Sequence, residues 1–202
     1  MTIFSKFMSA IRGGAVSKPS VTASSAVEPP YTIPTVRFDP SRVTAAVQTD
    51  LRKNIKKIKE FDETQFAHIY AAAFQSISSS RGRDAATLFN AIMELNLPKM
   101  TKQRASDISR DLNNKAAALM NRDLQESLGI KYAIWMYSGA PCQMNPKKPS
   151  AKDIRQDAAH KAANGKQYEI AKGLLMNGRL EMPGWEAGCK CVSGSIIPGL
   201  DE

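Results

Sequence analysis

No stretch of this 202-residue chain approaches the roughly 20 uninterrupted apolar residues that a membrane span requires. The best candidate, residues 67–77, is broken by His68, Tyr70 and Gln75. Residues 1–16 lack a long apolar core followed by a small-residue cleavage site, so no secretory leader is expected. Cysteine and histidine are scarce, with three of one and two of the other. An odd count, with two thiols flanking a single residue in Cys189-Lys190-Cys191, argues against a disulfide framework and for a reducing, intracellular origin. Missing too are a Walker phosphate loop, a Gly-x-Gly-x-x-Gly turn and a His-Glu-x-x-His helix. Nucleophilic catalysis needs a base set against a thiol or hydroxyl. His160 is the one C-terminal histidine, and no Asp or Asn can be assigned to orient it. The chain is therefore expected not to be an enzyme; the competing enzyme reading would use Cys142 or Cys191 with His160.

What the chain has in excess is positive charge. Its 28 Lys and Arg against 19 Asp and Glu give a net charge of +9, which favours an anionic partner such as nucleic acid. The excess peaks in residues 40–61, with 6 basic and 2 acidic side chains. Arg52, Lys53, Lys56, Lys57 and Lys59 crowd one half of an amphipathic helix there. They can follow the phosphate backbone of double-stranded DNA without sequence preference; the alternative is a solvated helix face. The carboxylates Asp107, Asp111, Asp153 and Asp157 form i,i+4 pairs among Lys and Arg, which favours salt-bridged surface over a divalent-ion site.

Residues 1–40 divide into a short helix and an arm. Ile3, Phe4, Phe7, Met8 and Ile11 recur at helical spacing before Gly13-Gly14 ends the pattern. So short a helix needs a surface on which to bury its apolar face, and a protein surface is favoured over lipid. The arm to Pro40 is rich in Ser, Thr, Val and Pro and has no period. Residues 41–98 predict a helical region. Asp39-Pro40 starts a helix with the stripe Val43, Val47, Leu51, Ile55 and Ile58. A second helix covers residues 62–78, its pattern placing His68 in the core or at an interface, and a third covers 84–95. Residues 99–202 form the last region: a long helix from Thr101 to about Leu128, a strand over 130–137, and a helix over 150–163. An Asn164-Gly165 turn and Gly- and Pro-punctuated chain follow. The fold class expected is α+β, mainly helical in its N-terminal and central part, then a small loop-rich unit with short antiparallel strands.

That last unit holds Cys142, His160, Cys189 and Cys191. Three thiols and an imidazole are the ligand set of a closed tetrahedral zinc site, and bound metal would rigidify a region poor in aliphatic residues. There is no Cys-x-x-Cys knuckle. Merely buried thiols, or a disulfide from Cys142 to Cys189 or Cys191, are the alternatives.

Over residues 99–191 an ordered set of elements emerges. Arg104, Ala105, Ile108, Arg110, Asp111 and Lys115 lie on the long helix, followed by Gly129, Ile130, Trp135 and Ser138. Arg155, His160, Asn164, Gly165 and Lys166 come next, then Pro183, Gly184, Cys189, Lys190 and Cys191. This order resembles the C-terminal domain of the phage Mu F-like minor head (head morphogenesis) proteins. The chain departs from that pattern in three ways. Arg155 and His160 are five apart rather than three, residues 139–152 form a longer insert carrying Cys142, and Lys190 stands where Arg is usual between the cysteines.

The resemblance implies a low-copy virion protein of the phage head, assembled in the host cytoplasm. It would sit at or near the portal vertex and assist head assembly and the retention or delivery of packaged DNA. On that reading Ile3, Phe4, Phe7 and Ile11 dock on portal or major capsid protein, and Arg52, Lys53, Lys56 and Lys57 face packaged double-stranded DNA. Arg155 then serves as a partner or phosphate contact, and no membrane is involved. The alternative is a zinc-stabilised nucleic-acid-binding accessory protein outside the capsid.

Overall fold

The computed structural model describes residues 38–79, 84–197 and 199. The helix expected around Ile3, Phe4, Phe7 and Ile11, and the arm expected after it as far as residue 37, lie outside the described residues. What is described is α+β, with helices first and short antiparallel strands after them.

The helical part begins in two steps rather than one. Asp39 caps a single 3-10 turn, Pro40–Arg42, through a hydrogen bond from the Ser41 N–H. A second cap, the Thr44 hydroxyl accepting from the Val47 N–H, then starts α1 (Ala45–Lys56). The one continuous helix expected from Asp39 is therefore interrupted at Val43, because Thr44 is itself a strong N-cap. The break leaves the stripe intact: Val43, Val47, Leu51 and Ile55 are all buried. Asp62 and Gln65 form a capping box that opens α2 (Glu63–Ser78), and Asp84 caps α3 (Ala85–Glu94). Thr101 caps the 26-residue α4 (Lys102–Ser127). These four helices bury one core, with Ile69, Ile77, Leu88 and Ile92 fully enclosed against Ile108 and Leu112 of α4. Asn113 of α4 ties the helices together inside it, donating to the Ser76 hydroxyl at 2.9 Å and to the Ser109 carbonyl at 2.8 Å.

His68 is exposed, which excludes the core place, one of its two expected settings. It lies one residue, or about 100° of helix, from Ile69, and so faces away from the stripe that packs. Leu124 and Leu128, apolar positions of the long-helix pattern, are also exposed, at 40% and 66%. In that last stretch Gln125 takes the buried place instead.

The remaining elements are β1 (Tyr132–Met136), α5 (Ala151–Ala162), β2 (Gln167–Glu169), β3 (Leu174–Met176), β4 (Arg179–Glu181) and β5 (Val192–Ser195). β1 is the middle strand of an antiparallel sheet ordered β2-β1-β5, and β3 and β4 form a separate hairpin. The strand register pairs Ala133 with Tyr168 and Trp135 with Ser193, which sets one sheet face against the protein interior. Tyr132, Ile134 and Met136 alternate onto the opposite, exposed face. The hairpin turns at Asn177-Gly178, whose φ values of 49° and 77° are both positive, as a tight I′ turn requires.

A second core gathers Ala133, Trp135, Tyr168, Ile170 and the three cysteines. The described residues nevertheless belong to one compact unit, because α4 serves both cores. Its first five turns fill the helical core, and Gln125 near its end donates to the hydroxyls of Ser193 and Ser195 at 3.1 and 2.9 Å. The helix assigned from sequence to the region 99–202 thus forms the central wall of the region 41–98 as well.

Candidate metal centre

Three separate segments deliver the four chemically distinctive side chains to one point. Cys142 sits in the loop after β1, His160 on the last turn of α5, and Cys189 and Cys191 in the loop entering β5. All four are buried, and their ligand atoms lie within 4.8 Å of one another. The Sγ of Cys142 is 4.0 Å from that of Cys189 and 3.5 Å from that of Cys191. His160 Nδ1 is 3.3 Å from Cys189 Sγ and 3.8 Å from Cys191 Sγ. Metal–ligand bonds of usual length at tetrahedral angles place sulphurs about 3.8 Å apart and sulphur about 3.5 Å from nitrogen. The observed separations bracket both values. They are far from the 2.05 Å or so of a disulfide, and the three cysteines are free thiols.

The protein supports these ligands from outside. Glu181, delivered by β4, has Oε2 3.1 Å from His160 Nε2, so Nδ1 is left to face the sulphurs. The guanidinium of Arg179 holds Glu181 Oε1 at 2.7 Å and reaches Glu186 at 3.2 Å. A ring nitrogen held by a carboxylate while the other faces the ligand cluster is the arrangement that orients metal-bound histidines. Trp135 packs edge-on to the imidazole, with ring centroids 5.1 Å apart.

Two backbone N–H groups point at sulphur: Gly184 donates to Cys189 at 3.2 Å and Lys190 to Cys142 at 3.4 Å. Such donors stabilise thiolates. Asp157 fixes the Cys142 loop, accepting from the Cys142 N–H at 2.6 Å and the Tyr137 hydroxyl at 2.9 Å. The buried Gln156 amide donates to the carbonyls of Cys142 and Ala187, joining the two cysteine loops.

The loop entering β5 can approach this closely only through glycine. A Cβ on Gly188, at φ +73°, would lie 2.6 Å from the backbone of Gln143 and Met144. One on Gly184, at φ +80°, would lie 2.9 Å from Ala118 of α4.

The electrostatics are those of a site short of positive charge. Burial pushes the His160 imidazole toward neutrality, yet the sulphurs of Cys142 and Cys189 and the Glu181 carboxylate outweigh it and raise the ring to about 10. Hydrogen bonds from Cys189 and Cys191 pull Cys142 far below the ordinary thiol range against the opposing effect of burial. Burial and the Asp157 hydrogen bond push the Tyr137 hydroxyl up to about 12, so it remains a donor. A divalent cation satisfies the same demand that the shared protons meet. A metal held by all four side chains in a tetrahedral shell would have no position left for water or substrate.

No family model matches the chain, and comparison with curated proteins and with solved structures gives no match either.

The basic residues singled out from sequence are not among these ligands. Arg52, Lys53 and Lys56 on α1, and Lys57 that caps its end, are exposed. Two of them are engaged by α2: the Arg52 guanidinium lies 4.4 Å from the Tyr70 ring centroid and the Lys56 ammonium 5.3 Å from that of Phe66. Arg155 is exposed on α5, since five residues of helix turn it about 140° from His160.

The paired carboxylates all have local partners. Asp107 binds Arg110, Asp111 binds Lys115, and Asp153 completes a capping box with Ser150. Glu181, Gln156 and the role of Asp157 escaped the sequence reading. The Asn177-Gly178 turn was a usable sign of the hairpin that carries Glu181. Gln156 lies four residues before His160, on the same helix face.

Proposed function

We propose that the chain is a structural component of a phage head at or near the portal vertex, with a zinc-stapled C-terminal unit that fastens a recognition surface rather than performing a reaction. The observation that carries this reading is a convergence. Elements that resemble the minor head proteins in sequence order meet at one centre in space. Trp135 packs on His160, Gly184 donates to Cys189, and Cys189 and Cys191 complete the ligand set with Cys142. Next to them the Gly165 N–H donates to the Trp135 carbonyl, and the Trp135 N–H donates to that of Lys166, each at 2.8 Å. A motif whose members support a single closed site is a folding motif.

Zinc is the metal that best suits three thiolates and an imidazole in a tetrahedron, being held without redox change or an open position. Bound there, it cross-links three chain segments and neutralises buried thiolates. The net charge of +9 suits a place beside packaged DNA, with Lys53 and Lys57 as the most available cations of α1.

Quantitative mass spectrometry of purified mature particles, with the portal protein as internal reference, tests the placement. A reproducible low-copy ratio is expected. Complete absence from particles, together with salt-dependent DNA binding by the free chain, would replace this reading with that of an accessory nucleic-acid-binding protein.

A further inference from the structure

Between the middle of α4 and the loop that carries Cys189 and Cys191 runs an open groove of about 670 Å³, within the usual range for ligand pockets. Its charge is of one sign. Arg42, Arg110 and Lys190 line it, and no carboxylate does. Arg110 shares its guanidinium with Asp107 at 2.7 Å, whereas neither Arg42 nor Lys190 has an ion-pair partner among the described residues. The Arg42 side chain is half-buried, and its Nε is enclosed with no hydrogen-bond acceptor among the described residues. Lys190 donates to the Pro141 carbonyl, which places its ammonium without neutralising it.

The rest of the lining is not that of a phosphate track. Phe38, Met120, Pro183 and Val192 give it apolar surface, which suits the apolar side chains of a peptide. A nucleic-acid backbone offers continuous charge and little apolar surface to such a lining.

We propose that this groove binds an extended acidic peptide segment of a partner protein, with Asp or Glu side chains against Arg42, Arg110 and Lys190 and apolar side chains between them. The inference does not require that the chain belong to a phage head. It assigns a partner chemistry to one surface, and the test below does not use particles.

The test is selection of a displayed, fully randomised heptapeptide library on the folded, metal-loaded full chain. It is followed by affinities of the enriched peptides for the chain and for an R42Q/R110Q/K190Q variant. Unchanged metal content and thermal midpoint establish that the variant is folded and that loss of the Lys190–Pro141 hydrogen bond beside Cys142 leaves the metal centre in place. Enrichment of Asp or Glu beside apolar residues is expected, with affinity falling about tenfold or more in the variant. No enrichment, an uncharged or basic consensus, or acidic peptides that bind the variant equally well would each overturn the proposal. So would a labelled short DNA duplex whose affinity depends on the three cations while that of the peptides does not; the groove would then belong to nucleic acid.

Discussion

Cys142 shows how much one side chain carries. Its sulphur lies 3.5 and 4.0 Å from the other two, and its backbone is fixed by Asp157 and Gln156. Cys142→Ser keeps that scaffold but removes a thiolate, so bound zinc should fall from one per chain to near none. The loss of stability should exceed about 4 kcal/mol, the range in which metal or disulfide loss falls. Elemental analysis and a denaturation curve check both. Glu181 acts through His160, so Glu181→Gln should leave the fold intact and weaken zinc binding about 10- to 100-fold, measured by competition with a chelator.

Away from the centre, the Arg104 hydrogen bond at 2.6 Å holds the Glu60 carboxyl below its usual range, with partial burial opposing. A lowered pKa adds stability that is complete above the unfolded value and lost as pH falls through the folded one. Glu60→Gln should therefore lower stability slightly at neutral pH, the pair being partly solvated, and flatten the acid side of the stability–pH curve so that it meets the parent curve below about pH 4. The ligands themselves were legible in sequence because Cys and His are rare here. Glu181 was not, because nothing in sequence distinguishes it from other glutamates until a hairpin folds it against His160.

At the scale of elements, the helix starts were legible because Asp62, Asp84, Thr101 and Ser150 are strong caps placed ahead of periodic apolar residues. The break at Val43 was missed, since two caps compete within six residues. The end of α4 was also misread: Leu124 and Leu128 continue the apolar pattern, yet Gln125 is the residue turned inward. Hydrogen bonds decide that choice. The Gln125 amide meets Ser193 and Ser195 of β5, and the Tyr168 hydroxyl donates to Ser193 at 2.6 Å. Gln125→Ala leaves those hydroxyls short of a partner and should cost about 1–3 kcal/mol, read from chemical denaturation. The loop entering β5 is equally specific. Gly188→Ala adds a Cβ against the Gln143–Met144 backbone at a positive φ, and the expected cost is about 1–3 kcal/mol together with weaker zinc binding.

In the whole molecule the two cores differ in what holds them. The helical core is aliphatic, with Val47, Leu51, Ile69, Ile77, Leu88 and Ile92 enclosed. The C-terminal core has Trp135, Tyr168 and Ile170, and three of its buried residues are cysteines. Apolar burial is the main support of the first; on the proposed reading the second depends on a metal that joins its thiols. The measurement that tests this most directly is zinc content of the purified chain before and after a strong chelator, followed with Trp135 fluorescence in a Trp185→Phe background and with helix circular dichroism. One zinc per chain is predicted, and its removal should expose Trp135 while the α1–α4 signal persists. A chain that binds no metal, or that keeps Trp135 buried once metal is gone, would contradict the account.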